Sequence, residues 1–215
     1  MPSRVIPFIN GQIYHVYNRG TEKRRIFETQ RDYQRFLKTL NYYHLEGSKP
    51  KFSQFSPTKS FKPDLSKKIV EIMAYCLMPN HFHLLLKQVR EGGITESVSK
   101  LSNSYTKYFN IKHRRTGLLL QGEFKSVLIE SGEQLIHVSR YIHLNPIASF
   151  LVKNLNDYQW SSYKEYVNNL KGFCTKDEVL GFFKPVKSYE QFCLDQVSYA
   201  QSLERIKHAL IDING

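Results

Sequence analysis

Two apolar, strand-like runs, Lys68–Leu77 and His81–Lys87, are separated by only Met78, Pro79 and Asn80. Parallel strands need a crossover of about a dozen residues or more, whereas so short a break suits an antiparallel hairpin. Before the hairpin, Gln12–Asn18 (QIYHVYN) is β-branched and aromatic and reads as a strand. Gln30–Glu46 reads as a helix, with Tyr33, Phe36, Leu37, Leu40 and Tyr43 at helical spacing and Gly47 as its stop. After the hairpin, Gly92-Gly93 precedes a second helix. Its apolar stripe is Val98, Leu101, Tyr105, Tyr108 and Phe109, and it frays into Lys112-His113-Arg114-Arg115. Phe124–Glu130 is a fourth strand. The order is strand, helix, strand, strand, helix, strand. The expected fold is therefore α+β, the ferredoxin-like split βαββαβ with an antiparallel sheet.

Ser131 can cap a third helix running to about Leu144, with Pro146 just beyond its end. Ser48–Lys68 carries three prolines and six lysines and reads as an inserted loop. Residues from about 156 onward look helical, ending in a long stretch from Gln191 to Leu210. The expected division is a domain over 1–165 and a helical C-terminal extension over 166–215. No apolar run approaches the roughly 20 residues that span a bilayer, and Met1–Asn10 lacks the apolar stretch of a secretory signal. Cys76, Cys174 and Cys193 are too few and scattered for a disulfide framework, so a reduced, cytosolic protein is expected. With 31 Lys+Arg against 19 Asp+Glu the net charge is +12. Such an excess points to a polyanionic partner, of which nucleic acid is the commonest; a merely soluble basic protein is the alternative.

Two small constellations carry chemistry. In His81-Phe82-His83, side chains alternate across the strand, so the histidines share one face and Phe82, Leu84 and Leu86 the other. Residues two apart on a strand stand about 7 Å apart at their bases, close enough for both rings to converge on one metal ion. Two exposed strand histidines would look the same in sequence. In Tyr141-Ile142-His143-Leu144-Asn145-Pro146, Tyr141 and Asn145 are four apart and share a helix face if the helix reaches Asn145. An ordinary Asn-Pro terminator reads the same way. His137, one turn earlier, either hydrogen-bonds the phenol or packs. Tyr105, a second helical tyrosine in a polar setting, falls on an apolar stripe and reads as core.

Taken together, these features resemble the HUH single-tyrosine transposases, and among them the REP-associated tyrosine transposases. The matching segments are Tyr14-His15-Val16-Tyr17-Asn18-Arg19-Gly20, Leu77-Met78-Pro79-Asn80-His81-Phe82-His83-Leu84-Leu85, Gln121-Gly122-Glu123-Phe124-Lys125-Ser126 and Tyr141-Ile142-His143-Leu144-Asn145-Pro146. Tyr158-Gln159-Trp160-Ser161-Ser162-Tyr163 follows them, as at the end of such domains.

The resemblance implies that Tyr141 is the nucleophile, that His81, His83 and Asn145 are ligands of one Mg²⁺ or Mn²⁺ ion, and that a 5′-phosphotyrosine is the intermediate. It implies single-stranded DNA with hairpin structure as partner, a bacterial, nucleoid-associated location, and action as a monomer or homodimer. Arg19, Arg114, Arg115 and Lys125 are phosphate-binding candidates. The 48–68 loop interleaves Lys49, Lys51, Lys59, Lys62, Lys67 and Lys68 with Phe52, Phe55 and Phe61, a pattern suited to backbone tracking and base stacking, or to a solvated loop. Two other functions compete: a His-ligated metal-dependent nuclease with no covalent intermediate, and a repeat-hairpin binder that does not cut.

Overall fold

The structure, a computed structural model, describes residues 7–47, 52, 64, 66–168, 170–185 and 187–204. Four strands, β1 (Ile13–Arg19), β2 (Val70–Met78), β3 (His81–Gln88) and β4 (Lys125–Ile129), form an antiparallel sheet in the order β2-β3-β1-β4. With α1 (Gln30–Tyr43) and α2 (Gly93–Lys112) this is the expected ferredoxin-like βαββαβ arrangement. Among the described residues no helix is long and apolar enough to cross a membrane.

The chain divides into two compact units, Met1–Met73 with Pro79–Ile129, and Ala74–Met78 with Glu130–Gly215. In the first, β1 runs antiparallel to β3 from Ile13 opposite Lys87 to Arg19 opposite His81, and to β4 from Ile13 opposite Ile129 to Tyr17 opposite Lys125. Directly opposed residues share a face, so His15, Tyr17, Arg19, His81, His83 and Lys125 all lie on one side of the sheet. The other side is the core. Val16, Phe82 and Leu84 are wholly buried there, and Phe36 of α1 meets Phe82 at 5.0 Å and Tyr105 of α2 at 5.1 Å between ring centres. Tyr105 donates its hydroxyl to the Ile26 carbonyl, which confirms it as core.

α1 stops at Tyr43, short of the expected Glu46, because Leu45 pairs with Lys68 in a β-bridge and the His44 carbonyl accepts from Ile69. Most of the 48–68 loop lies outside the described residues. Phe52 is described: its ring packs 5.2 Å from that of Tyr42, and the Arg35 guanidinium lies 4.3 Å over it.

A buried carboxylate ties α1 to α2. The Asp32 side chain is fully enclosed and accepts from the backbone amides of Glu28 (3.0 Å) and Thr29 (2.9 Å), from Tyr108 Oη (3.2 Å) and from Lys112 Nζ (2.6 Å). Burial alone would raise its pKa, but Lys112 and the donated hydrogen bonds outweigh it and lower the value from 3.8 to about 2. A lowered carboxylate pKa adds stability above its unfolded value, and that stability is lost as pH falls. Acid titration of the wild type should therefore show stability draining between about pH 4 and pH 2. Asp32→Ala, which leaves Lys112 with Thr29 Oγ1 but without its carboxylate, should lose about 3 kcal/mol at neutral pH and most of that acid-dependent part. Chemical denaturation of both proteins across that pH range checks this.

The second unit is built around α3 (Gly132–Ala148), capped by Ser131 Oγ accepting from the Gln134 amide. The helix does not end at Leu144. It passes through Pro146 to Ala148, and Leu144, Asn145, Pro146 and Ile147 are all buried. Burial of this last turn overrides the local preference of the residue before proline for extended geometry. The C-terminal part also differs from the expected long helix. Residues 158–162 run beside the end of β2: Leu77 donates to the Trp160 carbonyl, Ser162 donates to the Tyr75 carbonyl, and Cys76 bridges to Ser161. Short helices follow, α4 (Tyr163–Val167), α5 (Asp177–Leu180), α6 (Lys187–Leu194) and a stretch at 197–204. Gly172, Gly181 and Pro185 fall in the breaks between them. The far end of the expected helix, 205–210, lies outside the described residues.

Candidate functional site

On the first unit, the strand alternation read from the sequence brings the His81 and His83 rings to 4.9 Å between centres, nearly perpendicular. His83 is almost fully enclosed, while His81 is partly open. The strand pairing adds two neighbours that sequence reasoning missed. His15 Nε2 lies 2.9 Å from His83 Nδ1, and the Tyr17 ring lies 6.0 Å from that of His83. Burial lowers the His15 pKa from 6.5 to about 4, so its ring is neutral near pH 7. The signal was present in QIYHVYN, where His15 and Tyr17 alternate onto one face. No local pattern in that segment gives the register by which it meets the strand carrying His81.

Arg19, exposed at the end of β1, is opposite His81 in register, and its Nε donates to Gln121 Oε1. The loop that supplies Gln121 is tied down: its amide donates to the Arg19 carbonyl at 2.8 Å, and Asn18 Nδ2 donates to the Gly122 carbonyl at 3.2 Å. Lys125, also exposed, is opposite Tyr17. This sheet face therefore combines three imidazoles, those of His15, His81 and His83, with two cationic side chains. Arg114 and Arg115 lie elsewhere, in the turn after α2. Arg114 is exposed, whereas Arg115 closes the turn by donating to Asn110 Oδ1 (2.7 Å) and the Leu118 carbonyl (3.3 Å).

On the second unit, α3 presents Tyr141, 48% exposed, from a helix whose opposite side is locked inward. His143 is fully buried, with Tyr189 Oη 2.7 Å from Nδ1 and Ser162 Oγ 2.8 Å from Nε2. One turn on from Tyr141, Asn145 Nδ2 donates to the Tyr141 carbonyl at 2.7 Å. That contact takes up the amide nitrogen and leaves the amide oxygen, a hard donor, as the group available to a cation. His137 packs, its ring against Phe192 and its Nδ1 2.7 Å from an Arg140 Nη that donates to it.

Among the described residues, no three His, Cys, Asp or Glu side chains are placed to hold a metal ion together. A pair of imidazoles on one strand is nonetheless a suitable donor pair for a single divalent ion that must keep open positions for a substrate. The chemistry of the residues present fits such an ion.

Residues 55–145 match the family model described as IS200-like transposase, a span that takes in β2, β3, α2, β4 and α3 as far as Asn145. No curated protein matches the chain. A REP-associated tyrosine transposase solved bound to a REP hairpin is similar in fold, with a TM-score of 0.52 at 18% identity over 83% of this chain and 93% of that one. A candidate transposase from Deinococcus radiodurans R1 aligns with a TM-score of 0.35 at 14% identity over 66% of this chain and 95% of that one.

Proposed function

We propose that this chain, IS200-like transposase sequence over residues 55–145, cuts and rejoins single-stranded DNA beside hairpin repeats through a covalent tyrosine link. The observation that carries the reading is the content of that one matched span: the imidazole pair on β3, and the α3 turn bearing Tyr141 and Asn145. The hairpin held by the REP-associated transposase of similar fold supports the choice of substrate, as does the net charge of +12.

Tyr141 Oη attacks the phosphorus of a phosphodiester. As the new P–O bond forms, the bond to the 3′ oxygen breaks; the phenol proton passes to solvent and the 3′ oxygen takes up a proton and departs as a hydroxyl. The product is a 5′-phosphotyrosine, so the energy of the phosphodiester is kept and a 3′-hydroxyl from another end can reverse the step without ATP. By the resemblance, His81, His83 and Asn145 would be the ligands of one divalent ion, Mg²⁺ or Mn²⁺, and that ion would supply polarisation of the scissile phosphate. Arg19 and Lys125 bind backbone phosphates near the imidazole pair, and Arg114 and Arg115 are separate phosphate contacts in the turn after α2. The chain acts as a monomer or a homodimer on chromosomal DNA in the cytoplasm.

The test uses labelled single-stranded DNA from the gene's own flanks, folded as a hairpin with unpaired ends, incubated with Mn²⁺ or with EDTA. A protein–DNA adduct that survives denaturant, formed with Mn²⁺ only, is expected. Cleaved product without adduct would mean a hydrolase, and binding without cleavage a DNA-binding module. The hairpin should bind better than a full duplex of the same sequence. Affinity should fall with salt, by a logarithmic slope of about −0.7 for each single-strand phosphate contacted.

A further inference from the structure

We propose that Asn80 is a positioning residue for His81, fixing the imidazole as the Nδ1–H tautomer and so aiming an unprotonated Nε2 as the ligand atom. This rests on the metal role proposed above for His81. His81 Nδ1 lies 2.6 Å from Asn80 Oδ1, and Asn80 Nδ2 donates to the Lys23 backbone carbonyl at 3.3 Å. A carbonyl can only accept, so the amide NH₂ faces Lys23 and the amide oxygen faces His81. The proton in the short contact between Asn80 and His81 therefore belongs to the ring. With Nδ1 protonated in the neutral form, Nε2 carries the lone pair that a cation needs.

Asn80 is itself held in place. Its own carbonyl accepts from the Gly20 amide at 2.8 Å, and the Pro79 carbonyl accepts from Ile26 (2.8 Å) and Phe27 (3.1 Å). The segment just after β1 thus brackets the hairpin turn. Within that segment the chain folds back tightly enough to require glycine at position 20, where a Cβ would meet the Arg24 carbonyl oxygen at 2.2 Å. Without the amide oxygen the Nδ1–H form loses this acceptor, and only that form presents a lone pair at Nε2. Outer partners of this kind raise metal affinity by ordering their ligand before it binds.

The experiment reads the tautomer directly, by ¹⁵N imidazole NMR of the metal-free full chain in mildly alkaline buffer, where imidazoles are neutral. His81→Ala assigns the signal. The wild type is expected to show His81 as Nδ1–H, and Asn80→Ala to shift it toward a mixture or toward Nε2–H. Asn80→Asp keeps an acceptor oxygen and should restore Nδ1–H. In calorimetric titration with Mn²⁺, Asn80→Ala should bind roughly 10- to 100-fold more weakly, and Asn80→Asp should recover affinity. A wild-type Nε2–H form, or an Asn80→Ala variant with unchanged tautomer, overturns the proposal. If Asn80→Ala does not fold, the wild-type spectrum still decides. A locked Nδ1–H ring in a wild type that binds no Mn²⁺ would uphold the lock and overturn the metal role.

Discussion

Tyr141→Phe is expected to remove covalent adduct formation completely while leaving folding and hairpin binding intact. The substitution deletes one oxygen from a side chain that is half exposed on α3, so packing hardly changes. No other group supplies the missing bond to phosphorus: a phosphodiester stored on tyrosine needs that hydroxyl. Tyr105→Phe is the matched control. That hydroxyl is enclosed and donates to the Ile26 carbonyl, and burial pushes its pKa far above the usual phenol range. Its loss should cost about 1–2 kcal/mol of stability through the unsatisfied carbonyl, and adduct should still form. Denaturing gels for the adduct, with melting curves for stability, separate the two tyrosines.

The second large effect is expected at the imidazole pair. His83→Ala should lower single-turnover cleavage by about a thousandfold or more, since a phosphate-polarising ion is worth several kcal/mol in the transition state. His81→Ala should fall in the same direction. His83 sits within hydrogen-bonding distance of His15 and among ring contacts with Tyr17 and His81. Its removal is thus a local loss on the sheet face away from the Phe36–Phe82–Tyr105 core. A His83→Ala protein that cleaves at the wild-type rate in EDTA-treated buffer would remove the metal from the reaction.

The half of the fold that could be read from sequence is the half written in local periodicity. The hairpin through Pro79-Asn80 follows from two apolar runs with a short break, and Tyr105 declares itself core by its spacing with Leu101 and Phe109. The rest depends on contacts made at a distance. Pro146 and Asn145 look like a helix stop, and only burial of Ile142, Leu144 and Ile147 carries α3 past them. Tyr158–Ser162 has no strand pattern of its own; it turns beside β2, which hydrogen-bonds to Trp160 and Ser162 and bridges to Ser161. The site divides in the same way. His81 and His83 are legible as a pair on one strand, and Tyr141 with Asn145 as neighbours on one helix face. His15 joins His83 only through the β1–β3 register, and the Asn80 amide is oriented only because the segment after β1 returns to the hairpin turn at Lys23.

The most direct test of the account is to digest the protein–DNA adduct and locate the DNA-linked peptide by mass spectrometry. The account predicts a single phosphotyrosine linkage at Tyr141, joined to the 5′ side of the cut. Linkage at Tyr105 or any other residue, or cleavage that leaves no linked peptide, would contradict it.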